Sequence, residues 1–145
     1  MVSAPPFYAR FLDDIFFIWT DTRKALDTFI HKLGSFHKSI KLTHTISQEH
    51  IDFLNITVFI TEGTRTLNTK VHFKPTNTHR LLHRHSFHPG HTFKGIIKGQ
   101  LDRFYRLCSK EADFERITDT LFKGLREMSY SKRFLQRIKT ELDRK

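Results

Sequence analysis

Asp13 and Asp14 are adjacent carboxylates set between two aromatic, β-prone runs, Phe7-Tyr8-Ala9-Arg10-Phe11 before them and Ile15-Phe16-Phe17-Ile18-Trp19 after them. Acids are poor strand formers, so the pair belongs at a turn. Two runs joined there make a β-hairpin that presents both carboxylates at its tip, where a hard divalent cation would meet oxygen ligands. A hairpin turn with solvated acids would read much the same from these residues alone.

The elements that follow would have to position that tip. In residues 22–36, Leu26, Phe29, Ile30, Leu33 and Phe36 recur at helical spacing, with Asp21 or Thr22 as the cap and Gly34 near the end. Ile40-Lys41-Leu42-Thr43-His44-Thr45-Ile46 alternates as a half-buried strand. Residues 51–61 and 66–73 predict a second hairpin, turning at Glu62-Gly63-Thr64. From Pro75 to Thr92 the composition shifts to His, Arg, Asn, Thr and Pro with little periodicity, as in a connecting loop. Strands around a helix, followed only by helices, predict an α+β fold.

Three helices are expected after the loop. In the first, Phe93, Ile96, Ile97, Leu101, Phe104 and Cys108 share one arc, while Lys94, Lys98, Arg103 and Arg106 occupy the other together with Gly95 and Gly99. Each glycine costs a helix interior roughly 1 kcal/mol against alanine, so two of them ask for a reason. Close approach of a nucleic-acid backbone is one reason, and tight packing against another helix is its rival. Ser109 is the expected cap of the second helix, whose apolar stripe is Phe114, Ile117, Leu121, Leu125 and Met128. The third runs over residues 131–143 with Phe134, Leu135, Ile138 and Leu142 inward. The short Met128-Ser129-Tyr130-Ser131 connection fits a helix-turn-helix, although short turns also join helices in any bundle.

Charge is distributed unevenly. The 145 residues carry a net charge of +10, yet residues 1–73 hold eight Lys or Arg against seven Asp or Glu, and residues 74–145 hold seventeen against eight. Between Lys74 and Lys110 eight basic residues face the single acid Asp102. Such a field suits phosphate; a solvated basic surface or a nuclear-import signal is the alternative. Cys108 is the lone cysteine, which excludes an internal disulfide and points to a reducing, intracellular compartment, nuclear if the basic stretch directs import. The longest apolar run is too short to span a bilayer, and the first residues lack a signal-peptide pattern. Fifteen phenylalanines provide core volume without polar atoms to satisfy.

His83, His85, His88 and His91 fall within nine residues. Structural zinc sites usually include thiolates, and Cys108 lies well outside this cluster, so a hydrogen-bonding loop near phosphate is the better reading. No glycine-rich phosphate loop, paired-cysteine site or serine nucleophile elbow is present.

Arg10-Phe11-Leu12-Asp13-Asp14-Ile15-Phe16-Phe17-Ile18-Trp19 resembles the aromatic-x-Asp-Asp box of reverse transcriptases, in the form found in Penelope-like retroelements. Phe53-Leu54-Asn55-Ile56, Phe73-Lys74-Pro75-Thr76, His88-Pro89-Gly90-His91-Thr92, Arg106-Leu107-Cys108-Ser109 and Asp113-Phe114-Glu115-Arg116 resemble, in the same order, that family's sequence after the box. The resemblance implies a palm remnant in residues 1–74, a basic His-rich connection in 75–92 and a thumb-like helical domain in 93–145. It implies Mg2+ as cofactor and two-metal nucleotidyl transfer from deoxynucleotides, with Asp13 binding metal, Asp14 holding it or orienting the primer, and Phe11 supporting the nucleotide or primer end. Lys38 or Lys41 would protonate pyrophosphate. Phe53 and Leu54, with Asn55, resemble the primer grip, with core packing as their other reading. Lys74, Arg80, Arg84, Lys94 and Lys98, with Arg103 and Arg106, would contact phosphates of a template–primer duplex of RNA and DNA.

In that family a long fingers and palm region bearing another metal-binding aspartate precedes the box. The resemblance therefore implies the C-terminal part of a reverse transcriptase, inactive alone. A stand-alone helix-turn-helix-like module that binds nucleic acid without catalysis is the alternative, and an inert element remnant is a third.

Overall fold

The computed structural model describes residues 4–143, and its backbone divides into two compact units between Ser47 and Gln48. Strands and helices are both present, in an α+β arrangement of hairpins followed by a helical bundle.

In the first unit, β1 (Phe7–Phe11) pairs antiparallel with β2 (Asp14–Ile18), from Phe7 opposite Ile18 to Phe11 opposite Asp14. The connection is Leu12-Asp13 alone. A two-residue hairpin loop asks for a positive φ at its first position, and Leu12 supplies it at 51°. Helix α1 (Arg23–Ser35) is capped by Thr22, whose Oγ1 accepts from the Ala25 amide at 3.3 Å. The Phe29 ring of α1 meets Phe17 at 5.3 Å and Trp19 at 5.2 Å, while Leu26 is the one buried hydrophobic residue of this unit among the described residues.

The expected strand at residues 40–46 does not form. Alternation there is real, but among the described residues no neighbouring strand takes up its backbone groups, and Ile40, Leu42 and Ile46 are exposed. A strand needs a partner as well as a pattern.

The second unit opens with a three-stranded antiparallel sheet, β3 (His50–Phe53), β4 (Ile56–Ile60) and β5 (Leu67–Val71), in sequence order. What the sequence predicts as one strand over residues 51–61 is thus two. The chain reverses at Leu54-Asn55, with Leu54 at a φ of 54°, a conformation that its side chain does not advertise. The β4–β5 connection contains Gly63 at φ 87°, where the expected turn lies.

Helices α2 (Gly90–Leu107), α3 (Glu111–Glu127) and α4 (Lys132–Asp143) form the core. Phe93, Ile97, Leu101 and Phe104 from α2 meet Phe114, Leu121, Phe122 and Leu125 from α3 and Leu135 and Ile138 from α4. The sheet joins them through Val71 of β5, and Phe73 just beyond the strand adds its ring 5.8 Å from Phe104.

Ser109 does not cap α3. Its Oγ accepts the Thr69 amide at 2.9 Å and its own amide donates to the Thr69 carbonyl at 2.8 Å, so it extends the edge of β5 instead. Lys110 takes the cap position without a capping side-chain bond, and its ammonium donates instead to Thr61 Oγ1 at 2.8 Å.

Candidate nucleic-acid interface

The four residues Met128–Ser131 separate α3 from α4. Ser129 adopts a φ of 69°, the left-handed position commonly taken by glycine in such turns. Met128 and Tyr130 amides both return to the Leu125 carbonyl, at 3.0 and 3.2 Å. Ser131 Oγ then accepts the Phe134 amide at 3.3 Å and starts α4. Tyr130, buried, donates its hydroxyl to the Leu82 carbonyl at 2.8 Å, and the Arg84 amide donates to the Met128 carbonyl at 3.0 Å. The segment before α2 is therefore fastened to the turn.

Helix α4 has two chemically distinct faces. Leu135 and Ile138 are buried and Phe134 and Leu142 half-buried, whereas Lys132, Arg133, Gln136, Arg137 and Thr140 are exposed. These five lie at i, i+1, i+4, i+5 and i+8, which places them on one side of the helix. Lys139, at the edge, is paired with Glu115 of α3. Arg137 Nε lies 3.6 Å from Glu141, and Lys94 Nζ of α2 lies 2.7 Å from the same carboxylate. Hydrogen bonding to Lys94 is the largest of the influences that lower the Glu141 pKa. Between α3 and α4 runs an open groove of about 590 Å³ with Lys123, Arg126 and Lys132 on its walls beside Asp119 and Glu127.

The sequence-predicted phosphate contacts are not equally available. Lys94 turns toward α4 and Glu141, since it adjoins the buried Phe93 rather than facing away from the core. Arg80 stands 3.8 Å from Glu127. The Arg84 guanidinium covers the Phe93 ring at 4.6 Å and the Phe134 ring at 5.7 Å, a cation–π arrangement. Lys74 and Arg106 are exposed, Lys98 and Arg103 half-exposed, and none of the four is ion-paired among the described residues. Gly95 and Gly99 lie beside them, and among the described residues no other element comes within 4 Å of an added Cβ, so packing against another described helix explains neither.

Phe11, Asp13 and Asp14 are exposed at the β1–β2 tip, Asp13 within the loop and Asp14 as the first residue of β2. Phe53 is half-buried in β3, and Leu54 is exposed at the next turn. Among the described residues no three His, Cys, Asp or Glu side chains come close enough to hold a metal ion. His83 and His85 approach each other at 5.5 Å between ring centres, and the His83 Nδ1 accepts the His85 amide at 3.2 Å. No helix among them is long and apolar enough to cross a membrane.

The α4 set was missed because linear charge density conceals it: Glu111, Asp113, Glu115, Asp119 and Glu127 dilute the basic count of the surrounding segment. Helical phase would have revealed it. The period that turns Leu135 and Ile138 inward turns Arg133, Gln136 and Arg137 outward.

Residues 80–140 match the family described as animal helix-turn-helix domain, a stretch covering most of the strap that precedes α2 (residues 79–89), α2, α3, the turn and most of α4. No curated protein and no solved structure matches the chain.

Proposed function

We propose that this chain is a nucleic-acid-binding helix-turn-helix module, and that α4 is its principal contact element. The observation that carries the reading is the outward face of α4: Lys132, Arg133 and Arg137, interleaved with the hydrogen-bonding Gln136 and Thr140, on a helix fixed to its neighbours by a buried stripe. Arginine and lysine neutralise phosphates, and glutamine is suited to base edges. The family match over the same helices supports it.

The test is a salt titration by fluorescence anisotropy on duplex DNA. Replacing Lys132, Arg133 and Arg137 together with Gln should lower affinity at least about tenfold and flatten the salt slope by roughly three, near one per lost phosphate contact. The companion change of Lys98, Arg103 and Arg106 to Gln should have the smaller effect. No duplex binding at low salt would end the proposal.

A second reading places this module at the end of a retroelement reverse transcriptase, with an RNA–DNA duplex and deoxynucleotides as the parent's partners and Mg2+ at Asp13 and Asp14. It is supported by the ordered sequence resemblance and by the exposure of both carboxylates at a two-residue hairpin loop. The coding sequence upstream of Met1 tests it: an in-frame strand carrying a further aspartate is expected, and its absence counts against the parent enzyme.

A further inference from the structure

Phe87 is fully exposed, the most exposed of the large hydrophobic side chains described in this chain. It is not the tip of a slack loop. Ser86 donates its amide and its hydroxyl to the His83 carbonyl at 3.0 and 2.6 Å, the His88 amide donates to the Ser86 carbonyl at 2.9 Å, and His88 Nδ1 lies 3.2 Å from Ser86 Oγ. The same segment is tied to the helix-turn-helix by Leu82–Tyr130 and Arg84–Met128. The neighbouring aromatic surface is already covered, since the Phe93 ring is capped by Arg84 and met edge-on by His88. Phe87 thus stands on a fastened turn, outside the core.

Its surroundings define the partner. His83, His85 and His88 are exposed around it, Arg84 is half-exposed, and no acid occurs between Lys74 and Leu101. An apolar ring on a segment that carries no carboxylate of its own, with Glu127 and Glu141 held instead by Arg80 and Lys94, suits a ligand that is both anionic and aromatic. A nucleobase on a phosphate backbone has that chemistry, and imidazoles can exchange hydrogen bonds with its edge. Inside a duplex both faces of a base are already stacked, so the ring would find a free face only on an unpaired or terminal base.

We infer that the segment 83–88 is a second nucleic-acid contact, in which Phe87 stacks on an unpaired base flanking a duplex held by α4. The inference rests on the helix-turn-helix reading proposed above and specifies its substrate as a duplex with a single-stranded extension.

Anisotropy with three DNA probes tests it: a blunt duplex, the same duplex with a short single-stranded overhang, and the single strand alone. The overhang should raise affinity about fivefold or more over the blunt duplex. Phe87→Ala, which removes no buried contact, should erase that gain and lower blunt-duplex affinity, where only the outer face of the end pair is open, far less. Phe87→Trp should keep the gain and show indole quenching with the overhang probe beyond that of wild type. Equal binding of blunt and overhung probes, or a Phe87→Ala loss of the same size on both, overturns this inference while leaving the duplex reading intact. Failure to bind any probe at low salt overturns both. Binding to anionic phospholipid vesicles that depends on Phe87, with every DNA probe unaffected by Phe87→Ala, would assign the ring to a membrane surface instead.

Discussion

Lys94 of α2 and Glu141 of α4 meet at 2.7 Å, and because Glu141 also holds Arg137 at 3.6 Å, one carboxylate restrains two of the cations available to an anionic ligand. Glu141→Gln removes one negative charge and releases both. Duplex affinity at low salt should rise, and the salt slope should steepen by about one to two. Since the Glu141 pKa is lowered in the folded state, the carboxylate stabilises the fold at neutral pH, and that contribution is lost as pH falls from the ordinary carboxylate range through the lowered value. Wild type should accordingly be slightly more stable than the variant at neutral pH in urea titrations, with the difference vanishing in acid. Unchanged DNA binding would mean that neither cation reaches the ligand.

Tyr130→Phe isolates the bond that ties the strap to the turn. The buried hydroxyl donates to Leu82 at 2.8 Å, and its loss should cost about 1 kcal/mol by denaturant unfolding. Amide exchange should accelerate over residues 79–88 more than in α2 or α3. Burial raises the Tyr130 pKa, so this stabilisation is complete below the ordinary tyrosine value and declines as pH rises through the raised one. Uniform exchange throughout the helices would show that the bond does not fix the strap in particular.

Three helical glycines should respond differently to alanine. At Gly95 and Gly99 an added Cβ meets open space, so each change should stabilise by about 1 kcal/mol through helix propensity alone. At Gly124 the Cβ would come within 3.0 Å of the His79 carbonyl oxygen and 3.2 Å of its Cβ. His79 itself has a φ of 54°, held by its amide's bond to Asn77 Oδ1 at 2.8 Å. Gly124→Ala should therefore yield no gain in melting temperature where the other two do. Equal stabilisation at all three would show that the strap yields freely.

The sequence made the helical bundle legible because its signal is repeated: Phe114, Leu121 and Leu125, like Leu135 and Ile138, recur often enough to set a face unaided. The first hairpin was legible for a similar reason, two β-prone runs interrupted once. What escaped was decided by partners distant in the chain. Ile40, Leu42 and Ile46 carry a strand's alternation but find no strand to pair with among the described residues. Ser109 has a capping side chain but spends it on Thr69, forty residues away. Leu54 turns the chain without a turn residue's chemistry, and Lys94 loses its freedom to a carboxylate that only α4 brings beside it. Linear charge density points to the cations before Lys110 and the acid pair between two β-prone runs points to Asp13, whereas the α4 face follows from phase alone.

The carboxylates at the first hairpin yield the last prediction. Asp13 and Asp14 are exposed neighbours, and no third ligand completes a cluster with them among the described residues. Mg2+ demands near-octahedral oxygen coordination and gives up its water reluctantly, so two solvated carboxylates should hold it only in the range of about a millimolar or weaker. Titration of Mg2+ followed by NMR should move the Asp13 and Asp14 signals without saturating at lower concentrations, and Asp13→Asn should remove most of the response. Without a completed metal site, the preorganised charge that nucleotidyl transfer requires is missing, and the purified chain should not incorporate labelled deoxynucleotides on a primed RNA template. Duplex binding should survive Asp13→Asn, because the proposed contacts lie on α4. Template-dependent incorporation that disappears in Asp13→Asn would instead mean that these two carboxylates suffice in this chain, and would promote the polymerase reading over the binding module.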